Sequence, residues 1–188
     1  KRIPGMEDAF LIDMAPQIGV RDSRRIVGDY TLTRDDIFDG ATFADEIALK
    51  VYRGPNVKGW VRHKPDGSEG GKGHDLTEMP ISVVVLGLPY RGLLPQGIEN
   101  LLVAGKTVSF DNEAHQRVLL MPECIAMGEA AGVAAAVAVR DGVSPRQVDT
   151  DAVRALLSEG GMNLDRSKVR VQQVRETLAS RGLNVLMD

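Results

Sequence analysis

The sequence predicts an α/β fold, and three features carry that expectation. Apolar runs of strand length, ISVVVLGLPY (81–90) and IENLLVAG (98–105), are rich in β-branched or aliphatic residues and fit buried strands, the second in the interior of a parallel sheet. A long Ala- and Gly-rich stretch, LLMPECIAMGEAAGVAAAVAV (119–139), follows them at helix length. Two further segments carry helical periodicity with start and stop signals. The whole chain has 188 residues, 43% of them hydrophobic and 26% charged, a balance that suits a globular protein. A net charge of −3 gives no general attraction to nucleic acid or anionic membrane. The single cysteine excludes an intrachain disulfide and a cysteine zinc cage, and with no signal peptide it suits the cytoplasm.

The elements follow in order. AFLID (9–13) reads as a short strand and IGVRDSRRIVGDYTL (18–32) as a second extended segment. TRDDIFDG (33–40) reads as a helix start, with Thr33 as cap and Asp36 at the reciprocal position; FADEIALK (43–50) reads as a short helix. Residues 54–75 are rich in Gly, Lys, Pro and Asp and read as an exposed loop or hairpin tip. GSEGGKGHD within it fails the phosphate-loop pattern, because Lys72 is followed by Gly73, and no ligand spacing around His63 and His74 supports a metal. The two strands come next. The Ala-rich helix should run from Pro122, tolerated in a first turn, to about Arg140, with Gly142 just past its end. DTDAVRALLSEGG (149–161) and DRSKVRVQQVRETLASRG (165–182) are the closing helices.

The Ala-rich helix is unusual because it lacks large side chains. Gly128 and Gly132 share a face, broadened by Ala131, Ala135 and Ala136, and such a face admits close approach of another backbone. Glu123 and Glu129, with no flanking aromatic anchors, argue against a membrane span. Unpaired first-turn N–H groups make the helix N-terminus a place where an electron-rich carbonyl or an anion could dock. The alternative is tight helix–sheet packing with no ligand.

The runs PYRGLLPQGIENLLVAGKTVS (89–109), EAH (113–115) and MPECIAMGEAAGVAAA (121–136) resemble the C-terminal part of FAD-dependent oxidoreductases of the glutathione-reductase-like superfamily. More narrowly they resemble a bacterial group distantly related to fumarate reductase flavoproteins. APQIGVRDSRRIVGDYTLT (15–33) is similar to that group's substrate-side segment, and the resemblance spans roughly residues 3–158.

The resemblance implies a partial Rossmann-like FAD-binding domain, supplying its last strand and long helix, with part of an inserted substrate domain. The divisions would be 1–88 for the substrate portion, 89–142 for the FAD-binding portion and 143–188 for a C-terminal helical segment. It implies FAD as cofactor, with Gly105 and Lys106 near the ribityl–phosphate stretch. Leu120 and Met121 would turn their amides to the flavin pyrimidine, and Pro122 and Cys124 would begin the helix whose dipole steadies charge on the reduced ring. Three positions differ from the family pattern. Lys106 stands where Arg is usual, Gly92 where Cys is usual, and the basic residue ahead of the helix, Arg117, sits two places early, on the same face if the chain there is extended.

His115 would lie on the substrate side as a proton donor or anion binder, against a structural histidine as the plain alternative. Arg21 and Arg24 would bind a substrate carboxylate; the alternative for these and Arg25 is surface pairing with Asp22 and Asp29. Cys124 in a first helical turn could favour the thiolate or simply pack. Glu123 could touch substrate or suit the dipole.

The chain lacks the G-x-G-x-x-G fingerprint of the dinucleotide-binding turn and begins KRIPGMEDAF without an initiator Met. Both features lead us to expect a second polypeptide or a missing N-terminal segment carrying that fingerprint, with a small molecule as substrate and neither nucleic acid nor membrane as partner. The alternative is a non-catalytic binding subunit, or a proteolytic fragment, that keeps the fold without holding flavin.

Overall fold

A computed structural model of the chain describes residues 8–10, 12–20, 22–55 and 81–186. Its helices and strands run in the order α1 (Arg34–Phe38), β1 (Glu46–Pro55), β2 (Ile81–Pro89), α2 (Asn112–Val118), α3 (Met121–Asp141), α4 (Thr150–Glu159) and α5 (Val171–Ala179). The mixed helix–strand expectation holds. Among the described residues the one sheet is the antiparallel pair β1–β2, with Val51 opposite Val85 and Tyr52 opposite Val84.

The sheet is the floor on which the helices sit. β1 buries Ile47 and Tyr52 and β2 buries Val83, Leu86 and Leu88. α3 lies against β1 and α4 and contributes Met127, Ala130, Ala134 and Val137 to the same core; α4 adds Val153 and Leu157. The cap of α1 forms as expected: the Thr33 hydroxyl accepts from the Asp36 N–H, and the Asp36 carboxylate accepts from the Thr33 N–H. α3 starts with Pro122 in its first turn and ends at Gly142, whose φ of 66° is the left-handed closure glycine permits. α4 is capped by Asp149 and ends at Gly160.

Four expectations are corrected. FADEIALK is not a helix: from Glu46 onward it is β1, because pairing with β2 outweighs the helical bias of Ala48, Leu49 and Lys50. IENLLVAG is not a sheet strand. Ala104 has extended backbone, but no strand flanks the run among the described residues, and Ile98 and Leu101 are exposed. Of AFLID, Leu11 lies outside the described residues, and the other four are exposed and form no strand. The final segment is a single turn at Arg166–Lys168 followed by α5, separated by Val169 and the non-helical Arg170. Most of the Gly/Lys-rich loop, with His63, Lys72 and His74, lies outside the described residues.

The stretch 22–32 is held beside 105–111 without becoming part of the sheet. The Ile26 N–H donates to the Thr107 carbonyl at 2.9 Å, Leu32 N–H to Ser109 at 3.0 Å and Asp111 N–H to Leu32 at 2.8 Å. This alignment brings Asp22 next to α2. α3 is long and apolar enough to cross a membrane by length and composition, but one face is packed in the core and its Glu123 is buried.

Candidate active site

The site is built around the turn from α2 into α3. Asp111 sets α2: its Oδ1 accepts from the Ala114 N–H at 2.6 Å and its Oδ2 from the Arg34 N–H at 3.0 Å. That cap makes residues 112–118 helical, and it overturns the reading of this approach as extended chain. One consequence is the position of His115, which is 1% exposed. Its Nε2 lies 3.0 Å from the Lys106 carbonyl oxygen. A carbonyl only accepts, so Nε2 carries the hydrogen and, in the neutral ring, Nδ1 carries the lone pair. Nδ1 is buried without a hydrogen-bond partner and lies 3.9 Å from Asp22 Oδ1. Partial burial pushes the Asp22 carboxyl up, but the hydrogen bond from Arg25 and the charge of His115 outweigh it and hold the group below its ordinary value.

α3 begins immediately after. Leu120 is extended, and its N–H donates to Glu123 Oε2 at 3.0 Å. The other oxygen, Oε1, accepts from Lys50 Nζ of β1 at 2.7 Å, and both side chains are largely buried. Glu123 therefore faces inward as a cap and an ion pair. The Met121 and Glu123 N–H groups stand in the first turn, where no intrahelical acceptor exists.

Lys106, His115, Leu119, Leu120, Met121, Cys124 and Ile125 line one open cavity of about 430 Å³. Five of the residues expected at the site from sequence thus meet around one space: Lys106, His115, Leu120, Met121 and Cys124. Pro122 is exposed in the adjoining turn, and Gly105, at φ +82°, turns the chain into Lys106. The Lys106 ammonium also bonds the Val20 carbonyl at 3.1 Å.

The remaining expected residues lie elsewhere. Arg117 is on α2, pairs with Glu113 at 2.8 Å and sits 5.7 Å from the Phe38 ring, away from the cavity lining. Arg24 is exposed and outside the lining, and Arg21 lies outside the described residues. Arg25 makes the surface pairing with Asp22 at 2.5 Å, whereas Asp29 pairs with Arg146. Burial, then the charge of Glu123, pushes the Cys124 thiol up. That is opposite to the thiolate expectation, because these two effects outweigh the helix terminus. Gly92 has room for a side chain, with the nearest atoms to an added Cβ at 3.8 and 3.9 Å, so the usual Cys would fit there. Sequence reasoning missed Lys50, Asp22 as the neighbour of His115, and the apolar walls Leu119 and Ile125.

The donor set suits the flavin end of FAD: an apolar wall for a flat ring, first-turn amides, a nearby ammonium and a buried histidine nitrogen with no partner. Comparison with known proteins agrees with this chemistry. The model of the family described as FAD dependent oxidoreductase matches residues 1–157. The chain belongs to that family. This FAD dependent oxidoreductase is a redox enzyme, and FAD is its cofactor. No curated protein and no solved structure matches the oxidoreductase.

Proposed function

We propose that this oxidoreductase holds the flavin against the α2–α3 turn and transfers hydride or electrons between a small molecule and FAD at a C–N, C–O or C–C bond. The cavity shared by Lys106, His115, Leu120, Met121 and Cys124 is the observation that carries this reading. When bound, FAD supplies the two-electron chemistry. The chain's own residues do the rest. The first-turn amides of α3 meet a carbonyl or developing negative charge, with Glu123 held inward by Lys50 so that its carboxylate stays out of the cavity. Lys106 adds positive charge near Gly105. The Lys106 carbonyl fixes the His115 ring, leaving Nδ1 to take and return a proton beside Asp22. Arg21 and Arg24 stay assigned to substrate binding through the sequence resemblance.

In this reading the chain is the return portion of a Rossmann-like domain of the glutathione-reductase-like superfamily, with the divisions 1–88, 89–142 and 143–188, acting in the cytoplasm. A second polypeptide or further segment with the G-x-G-x-x-G turn completes it. Two features support that completion. The run 101–104 pairs with no strand among the described residues, and the Gly128/Gly132 side of α3 is open, with nothing within 4 Å of an added Cβ at either glycine. A native mass spectrum of the purified enzyme tests both points. The expected result is this chain together with the fingerprint-bearing partner or segment and the mass of FAD. A bare chain without flavin, from material never exposed to denaturant, overturns the completed-site reading.

A further inference from the structure

A second cavity shares no lining residue with the flavin wall. It is a groove of about 390 Å³ between β1 and the α5 segment. Its floor is apolar, made by Val51, Val169, Val174 and Leu178, and its rim carries Arg53, Arg170 and Arg181. Among the described residues no carboxylate lines it, and none of these three guanidinium groups has a hydrogen bond or ion pair. By contrast, Arg25 is answered by Asp22, Arg91 by Asp45, Arg117 by Glu113 and Arg166 by Glu46. A chain of net charge −3 therefore gathers around one apolar trough three cations that no described residue answers.

The placement is ordered. Arg170 stands just ahead of α5 and Arg181 just beyond its end, so at a helical rise of about 1.5 Å per residue their backbones are roughly 16 Å apart. Arg53 faces them from β1, opposite Val83, whose carbonyl accepts from Arg175 at 3.2 Å and ties α5 to the sheet. Guanidinium groups recognise carboxylate and phosphate oxygens through paired N–H donors, and the valine–leucine floor takes hydrocarbon.

We propose that this groove binds a small organic oxyanion with an apolar body, its carboxylate or phosphate heads answered by Arg53, Arg170 and Arg181. α5 lies beyond residues 1–157 that match the family, Val51 and Arg53 lie within them, and the groove shares no lining residue with the cavity at the α2–α3 turn.

Titration calorimetry on the FAD-loaded enzyme tests this with octanedioate, phenyl phosphate and inorganic phosphate as probes. At least one organic probe should bind about tenfold more tightly than inorganic phosphate, a difference that requires the apolar floor. Tighter octanedioate assigns a carboxylate ligand, and tighter phenyl phosphate assigns a phosphate ester. The Arg53→Gln/Arg170→Gln/Arg181→Gln variant should lose about tenfold or more of that affinity while its circular dichroism and flavin content stay unchanged. Leu178→Ser should narrow the gap between organic and inorganic probes. Equal affinity for all three probes, no heat from any, or unchanged binding in the triple variant overturns the proposal. Because flavin content is read separately, loss of the groove is distinguishable from failure of the redox site.

Discussion

On one face of α3, Met127, Ala130, Ala134 and Val137 are at most 1% exposed; on the other, Ile125 is 69% and Val139 83% exposed. Both faces are built from small and aliphatic residues, yet only one meets the rest of the chain. The inner face has its residue sizes fixed by β1 and α4. On the outer face Gly128 and Gly132 have no heavy atom of this chain within reach of an added Cβ, so nothing described here demands glycine there. A composition smooth all round suits close packing on either side, and the sequence pattern alone did not say which side this chain's own core would take. The inner face also depends on a charge pair, since Lys50 and Glu123 are buried together where the helix begins.

That contrast can be broken most severely at the charge pair. Lys50→Met should leave the Glu123 carboxylate buried without its cation and lower stability by about 3 kcal/mol. Urea unfolding measures it, and Lys50→Met/Glu123→Gln should recover most of the loss. A single variant as stable as the parent would mean that water already reaches the pair.

Next in size are two matched substitutions on opposite faces. Ala134→Leu overpacks the inner face and should destabilise by about 1–3 kcal/mol. Ala135→Leu points away from the core and should change this chain's stability by less than about 0.5 kcal/mol, while lowering flavin retention in the completed enzyme. Equal destabilisation by the two would erase the distinction between the faces.

The smallest effect is at Cys124. Burial and Glu123 raise its thiol, so the folded chain keeps its proton to higher pH than the unfolded chain. The fold is therefore favoured below the ordinary thiol range near 8.5 and loses that contribution as pH rises through the folded value. Iodoacetamide labelling followed against pH should show a midpoint above that of a free cysteine peptide. A midpoint below it would restore the thiolate reading.

What the sequence made legible was local. Thr33 with Asp36 and Pro122 with Gly142 announce helix ends through short-range hydrogen bonds and backbone preferences, and both pairs stand where expected. β1 was hidden because its partner β2 comes from beyond residue 80, and a locally helical Ala48–Lys50 gives no sign of that pairing. α2 was hidden by its shortness; only the Asp111–Ala114 cap betrays it, and missing it misplaced Arg117. At the site, the run from Leu120 to Cys124 was readable because a single helix start gathers it. Asp22 was not, since nothing near it in sequence says that the 22–32 stretch is pinned against residues 107–111.

Arg166 supplies a consequence for how the protein is made. Its guanidinium donates to the carbonyls of Val85 and Ala41, each at 2.8 Å, and to Glu46 Oε2 at 2.9 Å, a carboxylate that is 4% exposed. A side chain at Gly87 would collide with that same carboxylate, so the sheet keeps the position empty for the pair. Arg166 is 120 residues downstream of Glu46. At translation rates of about 5–20 residues per second, the ribosome delivers this counter-charge roughly 6–24 s after the acid it neutralises. Once β2 has followed, the nascent β1–β2 pair holds an unanswered carboxylate at the end where Glu46 meets Pro89, which favours an open sheet until Arg166 emerges. The arrival of Arg166 therefore sets when this strand pair can close.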